Sequence, residues 1–568
     1  RKETVVRPTV EINVKMLDWL SFRAEGNMNY YYTSWEDKQL GEGYNNKGGF
    51  YEMGQEYNKQ TTFGGTFTFN KDVKDFHIGG FLRGEYYTTS AATQTSKTDG
   101  GLAVPGQYFV GNSLNTSKTT AEIKNTKRIL SAVAAVNLSW KNQLFLDITG
   151  RNDWSSGLIY TNGTGNYSYF YPSIGGSWLI NETFRDQMPE WINLAKIRGS
   201  WAQVGNDLPI GITNPADIIQ AGGTIQVNDT EQRGDLKPEI SNSIEFGTEW
   251  RFFSSRLGID FTWYQTDTKN QLLRMPNPAG SLFAYRYVNA GNIQNEGWEL
   301  TLDAAPVMNR DFMWKTTLNF SSNKNKIIEL HEKLKEFVYG PTSFSSSYAM
   351  KLVKGGSIGD IYGKAFVRDA SGNIVYETEG SNAGLPKIEG DGNTVKVGNS
   401  NPKFQMGWNH TLSYKDISLY FLVDCRYGGK VLSQTQADMD LYGVSEVTAQ
   451  ARDEGYVMLE GHRIDNVKGF YKIVGGRAGT TEYYMYDATN IRLRELSLSY
   501  QLPASWMEKS KVLKKVQLSF IARNLFFFYK KAPFDPDLVL STGNDNQGID
   551  VYGMPTTRSW GFSLKCEF

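Results

Sequence analysis

The last stretch of the chain, Thr557–Phe568, reads TRSWGFSLKCEF, and every second residue of it is apolar. Side chains alternate between the two faces of an extended strand, so one face carries Trp560, Phe562, Leu564, Cys566 and Phe568. The other face carries Ser559, Gly561, Ser563, Lys565 and Glu567. A strand with one apolar face and one polar face is typical of a β-strand that crosses a lipid bilayer. We predict a membrane-crossing strand in which Trp560, Phe562, Leu564 and Phe568 act in barrel closure and assembly.

The same alternation recurs upstream along the whole chain. Apolar residues occupy every second position in the segments 257–263, 417–425 and 516–520, for example. About seventeen such strands can be counted. Around Arg494 and Glu495 the alternation slips by one residue, which predicts a β-bulge.

Short and long connections alternate between the predicted strands. Turns of a few residues, such as Lys141-Asn142 and Lys415-Asp416, alternate with long loops at about 89–122, 205–240, 325–400, 428–489 and 525–556. Short turns on one side and long loops on the other are typical of outer-membrane barrels. We therefore predict an all-β fold, a transmembrane antiparallel β-barrel that occupies residues 1–568.

Strand number and direction indicate that this barrel is part of a larger one. Bacterial barrels have even strand numbers, and those of about 22 strands are plugged transporters. The first and the last strand both run toward the short-turn side, so the number of strands between and including them is odd. This agrees with about 17 strands of a barrel of about 22, in which about five strands and a plug lie upstream. The chain begins RKETVV, with neither an initiator Met nor a signal peptide, so we expect the true N-terminus to lie upstream.

Composition excludes several classes of function. The formal net charge is zero, which gives no electrostatic reason to expect nucleic acid as a partner. The four histidines lack metal-binding spacing, and Cys425 and Cys566 are interpreted as small apolar residues. Catalytic groupings, GxGxxG and P-loop patterns are also missing from the sequence, so we predict that the chain is not an enzyme and has no cofactor.

Several quoted stretches resemble one family. They include GRNDWSSG (150–157), YFYPSIGGSWLI (169–180), NAGNIQNEGWELTL (289–302), NIRLRELSLSYQLP (490–503) and LSFIARNLFFF (518–528), and with others they cover most of residues 130–568. In number and order they resemble the C-terminal part of the SusC/RagA-like TonB-dependent transporters of Bacteroidetes outer membranes. The resemblance implies an N-terminal plug, contact with TonB through the missing N-terminal region, and a SusD-like surface lipoprotein as lid. A dimer of transporter–lipoprotein pairs is among the assemblies we consider.

Candidate site residues fall into two groups. Loop aromatics offer flat rings to sugars or peptide side chains, and we select Trp154, Tyr160, Tyr285, Tyr287, Phe344, Tyr348 and Tyr484. The alternative is that these rings pack loops together or lie in an interfacial girdle. Charged pairs two residues apart share a face, so we predict lumen charges at Asp424, Arg426, Lys565 and Glu567, which we expect to pair with the plug. The loops 389–393 and 541–550 are rich in Asp and Asn and are weighed as Ca²⁺ sites against ordinary solvated turns.

The function predicted from the sequence is active import. The resemblance implies TonB-dependent uptake of a nutrient oligomer, glycan first and peptide second, through a barrel in contact with membrane lipid. One alternative is a passive or adhesive outer-membrane barrel without energy coupling. Another is a secreted glycan-active β enzyme, which the outward apolar faces of so many strands disfavour.

Overall fold

A computed structural model describes the chain except residues 44, 161–162, 210, 215–217, 220–224, 227, 278–279, 332–333, 339–344, 391, 393, 508–511, 539 and 541–546. For 123–125, 218–219 and 225–226 only the backbone is described. The chain divides into two compact units. Unit 1 comprises 1–183, 198–244 and 266–292, and unit 2 comprises 184–197, 245–265 and 293–568.

Long β-strands dominate both units. In unit 1 they are β1 (Lys2–Val6), β2 (Thr9–Leu17), β3 (Leu20–Gln39), β4 (Phe50–Val73), β5 (Phe76–Lys97), β6 (Lys118–Trp140), β7 (Leu144–Ser155) and β8 (Ser168–Leu179). Four strands have residues in each unit: β9 (Ile192–Asn206), β10 (Glu239–Phe252), β11 (Leu257–Lys269) and β12 (Asn292–Met308). In unit 2 they are β13 (Phe312–Glu329), β14 (Phe404–Tyr414), β15 (Ile417–Tyr427), β16 (Asn490–Gln501), β17 (Lys515–Lys530) and β18 (Ser559–Glu567).

Shorter elements lie in the connections. In unit 1 they are the strands Ile218–Ile219, Ile225–Gln226, Thr230–Glu231, Leu272–Pro276 and Tyr285–Asn289, the helical turn Ile180–Thr183 and the 3₁₀ turn Ser156–Leu158. In unit 2 they are Glu336–Val338, Tyr348–Val353, Asp360–Gly363, Ala365–Phe366, Ile388–Glu389, Val395–Asn399, Lys430–Ser433, Val457–Leu459, His462–Ile464, Met485–Asp487 and Ile549–Asp550, with the turns Thr481–Tyr484 and Ala504–Met507. No helix in the described part of the chain is long and apolar enough to cross a bilayer.

In unit 1 the strands β3 to β8 pair antiparallel with their neighbours in chain order. The turn between β6 and β7 contains Lys141 and Asn142, both with positive φ, a geometry that matches the twist of paired strands. The strands β3 to β6 have 20, 24, 22 and 23 residues. A bilayer crossing needs only about 9–11 residues, so these strands extend well past one crossing.

In unit 2 the strands β13 to β18 form a second antiparallel run, in the order β13, β14, β15, β16, β17 and β18. Apolar residues meet across strands on one face, as where Phe421 pairs with Leu496. The other face is polar, and Ser413 and Ser418 share a hydrogen bond of 2.8 Å there. The register shifts at Arg494, between Leu493 and Glu495, which confirms the predicted bulge.

The long connections of unit 2 fold into one body, which we call the loop domain: the described residues of 330–403, 428–489 and 531–558. It contains three helices, α1 (Gln434–Leu441), α2 (Glu446–Glu454) and α3 (Val467–Val474). Each begins after a side chain that accepts a hydrogen bond from the first helical turn, at Ser433, Ser445 and Asn466. None of these helices was predicted from sequence periodicity. Each has only eight or nine residues, and a helix this short depends on tertiary packing rather than on its own sequence.

Candidate functional site

The loop domain is organised around a buried aromatic core. Phe470 is fully buried, and its ring meets Tyr471 and Tyr483 edge-on at centroid distances of 5.2 and 5.3 Å. Tyr483 meets Tyr484 at 5.0 Å. Edge-to-face contacts of this kind stabilise beyond the area they bury. Apolar residues from all three loops complete the core, including Tyr348, Met350, Ile361, Leu432, Val474 and Ile549.

A buried carboxylate fixes α1 to this core. Asp440 accepts hydrogen bonds from the Tyr484 hydroxyl at 3.0 Å, from Ser445 at 2.5 Å and from Gln436 at 2.7 Å. Burial, followed by the nearby Asp440 charge, raises the pKa of Tyr484 above its usual range. The Tyr484 phenol therefore stays protonated and remains a hydrogen-bond donor. It gives the buried Asp440 side chain an uncharged hydrogen-bond partner.

Strand pairing and ion pairs join the three loops. Lys430–Ser433 pairs antiparallel with Met485–Asp487 and parallel with Ile549–Asp550. Arg368 binds Glu460 through two hydrogen bonds of 2.8 Å and Glu482 through one of 2.9 Å. The hydrogen bonds that Arg368 donates to these two glutamates raise the pKa of Arg368 and keep it charged. The loop domain is thus a folded body rather than a set of independent loops.

Three of the seven predicted ligand-binding aromatics are buried in packed cores. Tyr348 and Tyr484 are 0% and 1% exposed and belong to the loop-domain core. Tyr160 is also buried, and its hydroxyl accepts a hydrogen bond from the Leu236 backbone at 3.1 Å. For these three tyrosines the structure fits the packing interpretation.

The other aromatics differ in their surroundings. Trp154 is exposed but lies in strand β7 rather than in a loop, because β7 extends to Ser155. The Arg274 guanidinium lies over the Tyr285 ring, 3.8 Å from the ring centroid. Tyr287 packs against a small apolar cluster of unit 1. Phe344 lies outside the described residues, so its role stays a prediction.

A charge cluster connects the loop domain to strands β15 and β16. The Arg492 side chain is 4% exposed, and its Nε donates to Asp424 at 3.0 Å. Its two Nη atoms contact Asp535 at 3.4 Å and Asp537. Arg494 donates to the other oxygen of Asp424 at 2.6 Å. Because Asp535 and Asp537 belong to the loop 531–558, this cluster fixes that loop to the strands.

The predicted lumen charges of β15 belong to this cluster, with Asp424 near its centre and Arg426 beside Asp537. Asp424 and Arg426 share a face but hydrogen-bond to different partners: Asp424 accepts from Arg492, and Arg426 donates to a backbone carbonyl. Arg426 donates to the Ser400 carbonyl at 2.7 Å and approaches Asp537 at 3.6 Å. Contact with a plug stays a prediction. The partners that were not predicted, Asp535 and Asp537, belong to the acidic FDPD motif at 534–537. This motif is visible in the sequence, but nothing in the sequence places it beside Arg492.

Next to the cluster is a polar cavity of about 490 Å³ in unit 2. Its lining includes Glu299, Thr301, Asn319, Gln405, Arg426 and Asp537. Carboxylate, amide, hydroxyl and guanidinium groups together can pair with the hydroxyls or amides of a neutral polar solute.

Metal binding finds no counterpart in the described residues. Within them no three His, Cys, Asp or Glu side chains converge as a metal site would need. In the loops 389–393 and 541–550, which were weighed as calcium sites against solvated turns, positions 391, 393 and 541–546 lie outside the described residues.

A chain of ion pairs follows the polar face of unit 1. Arg23 binds Glu11 at 2.7 Å and Glu25 at 2.6 Å. Arg83 binds the same Glu25 at 2.6 Å and Glu85 at 2.7 Å. This ladder of ion pairs was not predicted, although two of its pairs have the two-residue spacing that indicated Asp424 and Arg426.

The closing strand β18 pairs antiparallel with β17. Phe520 packs between Trp560 at 5.9 Å and Phe562 at 5.5 Å. Phe562 and Phe568 are 89% and 73% exposed, and Leu564 is also exposed. The predicted pair Lys565 and Glu567 is solvent-accessible, 4.0 Å apart.

Replacing Phe568 with alanine should impair insertion of the complete protein into the outer membrane. The side chain makes no contribution to a packed core here, so a loss would point to recognition during assembly. Heat-modifiable migration of outer-membrane fractions measures the folded yield. Val104→Ala in an exposed loop serves as the control, and an unchanged folded yield for Phe568→Ala would contradict an assembly role.

The sequence is similar to a family of known proteins. The family model for "TonB dependent receptor-like, beta-barrel" matches residues 13–329, more than half of the chain. TonB-dependent receptor P3 of Formosa agariphila is 27% identical over 78% of this chain and 46% of its own length. TonB-dependent receptor SusC of Bacteroides thetaiotaomicron is 22% identical over 79% of this chain and 44% of its own. The chain therefore spans about half the length of these relatives.

Among solved structures, the RagAB peptide transporter gives a TM-score of 0.78. The similarity covers 99% of this chain and 62% of the RagAB chain at 16% identity. At this identity the likeness shows the fold, which is that of a TonB-dependent barrel.

Proposed function

Because the chain belongs to the TonB-dependent receptor β-barrel family, we propose that the complete protein imports a nutrient oligomer across the outer membrane with energy delivered through TonB. Members of this family are outer-membrane receptors and transporters. The chain is accordingly part of an antiparallel transmembrane β-barrel in the outer membrane, and it is not an enzyme. The family match is the observation that carries the proposal.

The partners follow from the relatives. Similarity to SusC and to a RagAB chain supports a SusD-like surface lipoprotein as lid, in a Bacteroidetes-type bacterium. A dimer of such pairs is included in the proposal. The contact with TonB is assigned to the N-terminal region of the complete protein.

For the substrate we propose a glycan first. The polar cavity beside Arg426 and Asp537 offers both donors and acceptors, which suits the hydroxyls of a saccharide. Peptide is the second candidate, since the structural relative is a peptide transporter and backbone amides could use the same groups.

The loop domain and the charge cluster have defined parts in this proposal. The loop domain presents a rigid surface to lid and substrate, because its core joins all three loops. The cluster around Arg492 connects that surface to strands β15 and β16, which also line the polar cavity. Displacement of the loop 531–558 would therefore change the cavity wall at Asp537.

Uptake by whole cells tests the energy coupling. We expect cells with the complete protein and its lipoprotein to accumulate labelled oligosaccharide, and expect deletion of TonB to lower the rate about tenfold or more, the scale of a barrier change near 1.4 kcal/mol. A passive barrel would keep its uptake rate in the TonB deletion, which would contradict the proposal. Labelled peptides in parallel assays separate the two substrate classes.

A further inference from the structure

Four aromatic rings form a continuous row on the apolar face of unit 2. Trp298 stacks on Phe320 at 4.6 Å, Phe320 on Phe404 at 5.0 Å, and Phe404 on Tyr427 at 4.8 Å. The planes of neighbouring rings differ by 15° to 25°. Aromatic girdles of this kind mark the two membrane–water interfaces of outer-membrane barrels. Because β15 enters a long loop after Tyr427, this row marks the long-loop side.

A basic pocket lies at the end of this row. It has a volume of about 760 Å³, and its lining includes Lys403, Lys430, Lys531, Tyr427 and Tyr529. The Lys403 ammonium lies over the Tyr427 ring at 5.9 Å from the centroid. We call this site the rim pocket.

The rim pocket lies along the apolar, lipid-facing side of the strands. Tyr427 is two residues after Cys425 and shares its face. Cys425 pairs with Ile491, and Ile491 pairs with Tyr529, so all four occupy one face of the sheet. That face carries Phe421 and Val423, whereas Asp424 and Arg426, which alternate with them along the strand, lie on the opposite face.

Charge in the rim pocket favours an anion. Its lining contains three lysines and one acid, Asp487, which is opposite Lys430 in the strand register. Ammonium groups bind phosphate as point charges, and the lining amide of Asn401 adds a hydrogen-bond donor. Tyr427, Tyr529 and Ile491 offer an apolar wall for the acyl chains of an amphiphile.

We propose that the rim pocket binds the phosphorylated headgroup of a lipid in the outer leaflet. The assignment rests on three lysines around one pocket, on its position at the end of the aromatic row, and on its lipid-facing side. A free phosphate ion would use the lysines alone, whereas a lipid uses the apolar wall as well. The bound lipid would stabilise the strand ends from which the loop domain begins.

Native mass spectrometry of the complete protein, purified from outer membranes in mild detergent, tests the proposal. We expect a phosphorus-containing lipid adduct on the wild-type protein and its loss from Lys403→Gln/Lys430→Gln/Lys531→Gln, at about fivefold weaker binding for each lysine removed. The triple change Lys74→Gln/Lys141→Gln/Lys415→Gln, which removes equal charge at the short turns, should keep the adduct. A triple arginine variant of the rim pocket should also keep it.

Two results would overturn the proposal. Equal lipid adducts on the wild-type protein and on the rim-pocket glutamine variant would place the lipid elsewhere. An adduct that an excess of inorganic phosphate replaces completely, with no effect of lipid acyl chains, would assign the pocket to a free anion. Heat-modifiable migration of each variant shows that the barrel is folded, so that a lost adduct reports binding.

Discussion

Replacing Arg492 with methionine should detach the loop 531–558 from strands β15 and β16 and abolish most transport. The guanidinium is 4% exposed and contacts three aspartates. Removing one partner of a buried ion cluster costs about 3–5 kcal/mol, because the remaining charges stay buried without compensation. The expected readout is rapid proteolysis within 531–558 and a loss of uptake, measured on complete protein in outer-membrane vesicles.

A matched control is available on the neighbouring strand β17. Arg523 pairs with Glu495 at 3.2 Å, but its side chain is 60% exposed. Exposed ion pairs contribute about 0–1 kcal/mol, so Arg523→Met should leave proteolysis and uptake unchanged. Adding Asp535→Asn to Arg492→Met should recover part of the protection, since it removes a stranded charge. Equal protease resistance of Arg492→Met and Arg523→Met would show that the cluster does not hold the loop.

The strands were predictable because their signal is local. A period of two identifies the face of each residue, which was enough to place Asp424 and Arg426 together and to locate the bulge at Arg494. Short turns such as Lys141-Asn142 are equally local, since their positive φ values satisfy the hairpin twist. The fold therefore follows from alternation and turn spacing.

The site was much less predictable because its contacts are distant in sequence. Asp535 and Asp537 meet Arg492 across more than 40 residues, and Tyr348 reaches the Gln547 carbonyl across 199. Burial of Tyr348 and Tyr484 also depends on three loops that pack together, so composition alone could not separate core from binding residues. The arginine–glutamate ladder of unit 1 was a partial exception, because its two-residue spacing was visible and was not used.

Replacing Phe470 with alanine should unfold the loop domain while the barrel stays intact. The ring is fully buried and contacts two tyrosines edge-on. A Phe→Ala change in a packed core costs about 3–5 kcal/mol, through lost burial and the cavity that remains. Strands β13 to β18 are held by their own ladders, so heat-modifiable migration should be normal.

Hydrogen exchange separates these two outcomes. In Phe470→Ala we expect amides of α1, α2 and α3 to exchange at least about a hundredfold faster, the change that corresponds to about 3 kcal/mol of local stability. Tyr442→Ala is the matched control, because Tyr442 belongs to the same domain and is 77% exposed. If exchange in the helices rose equally in both variants, or if it rose in the strands as well, the loop domain would not be a cooperative unit with its own core. Since its three loops share that core, loss of one central ring should instead release all of them together, and substrate capture with them.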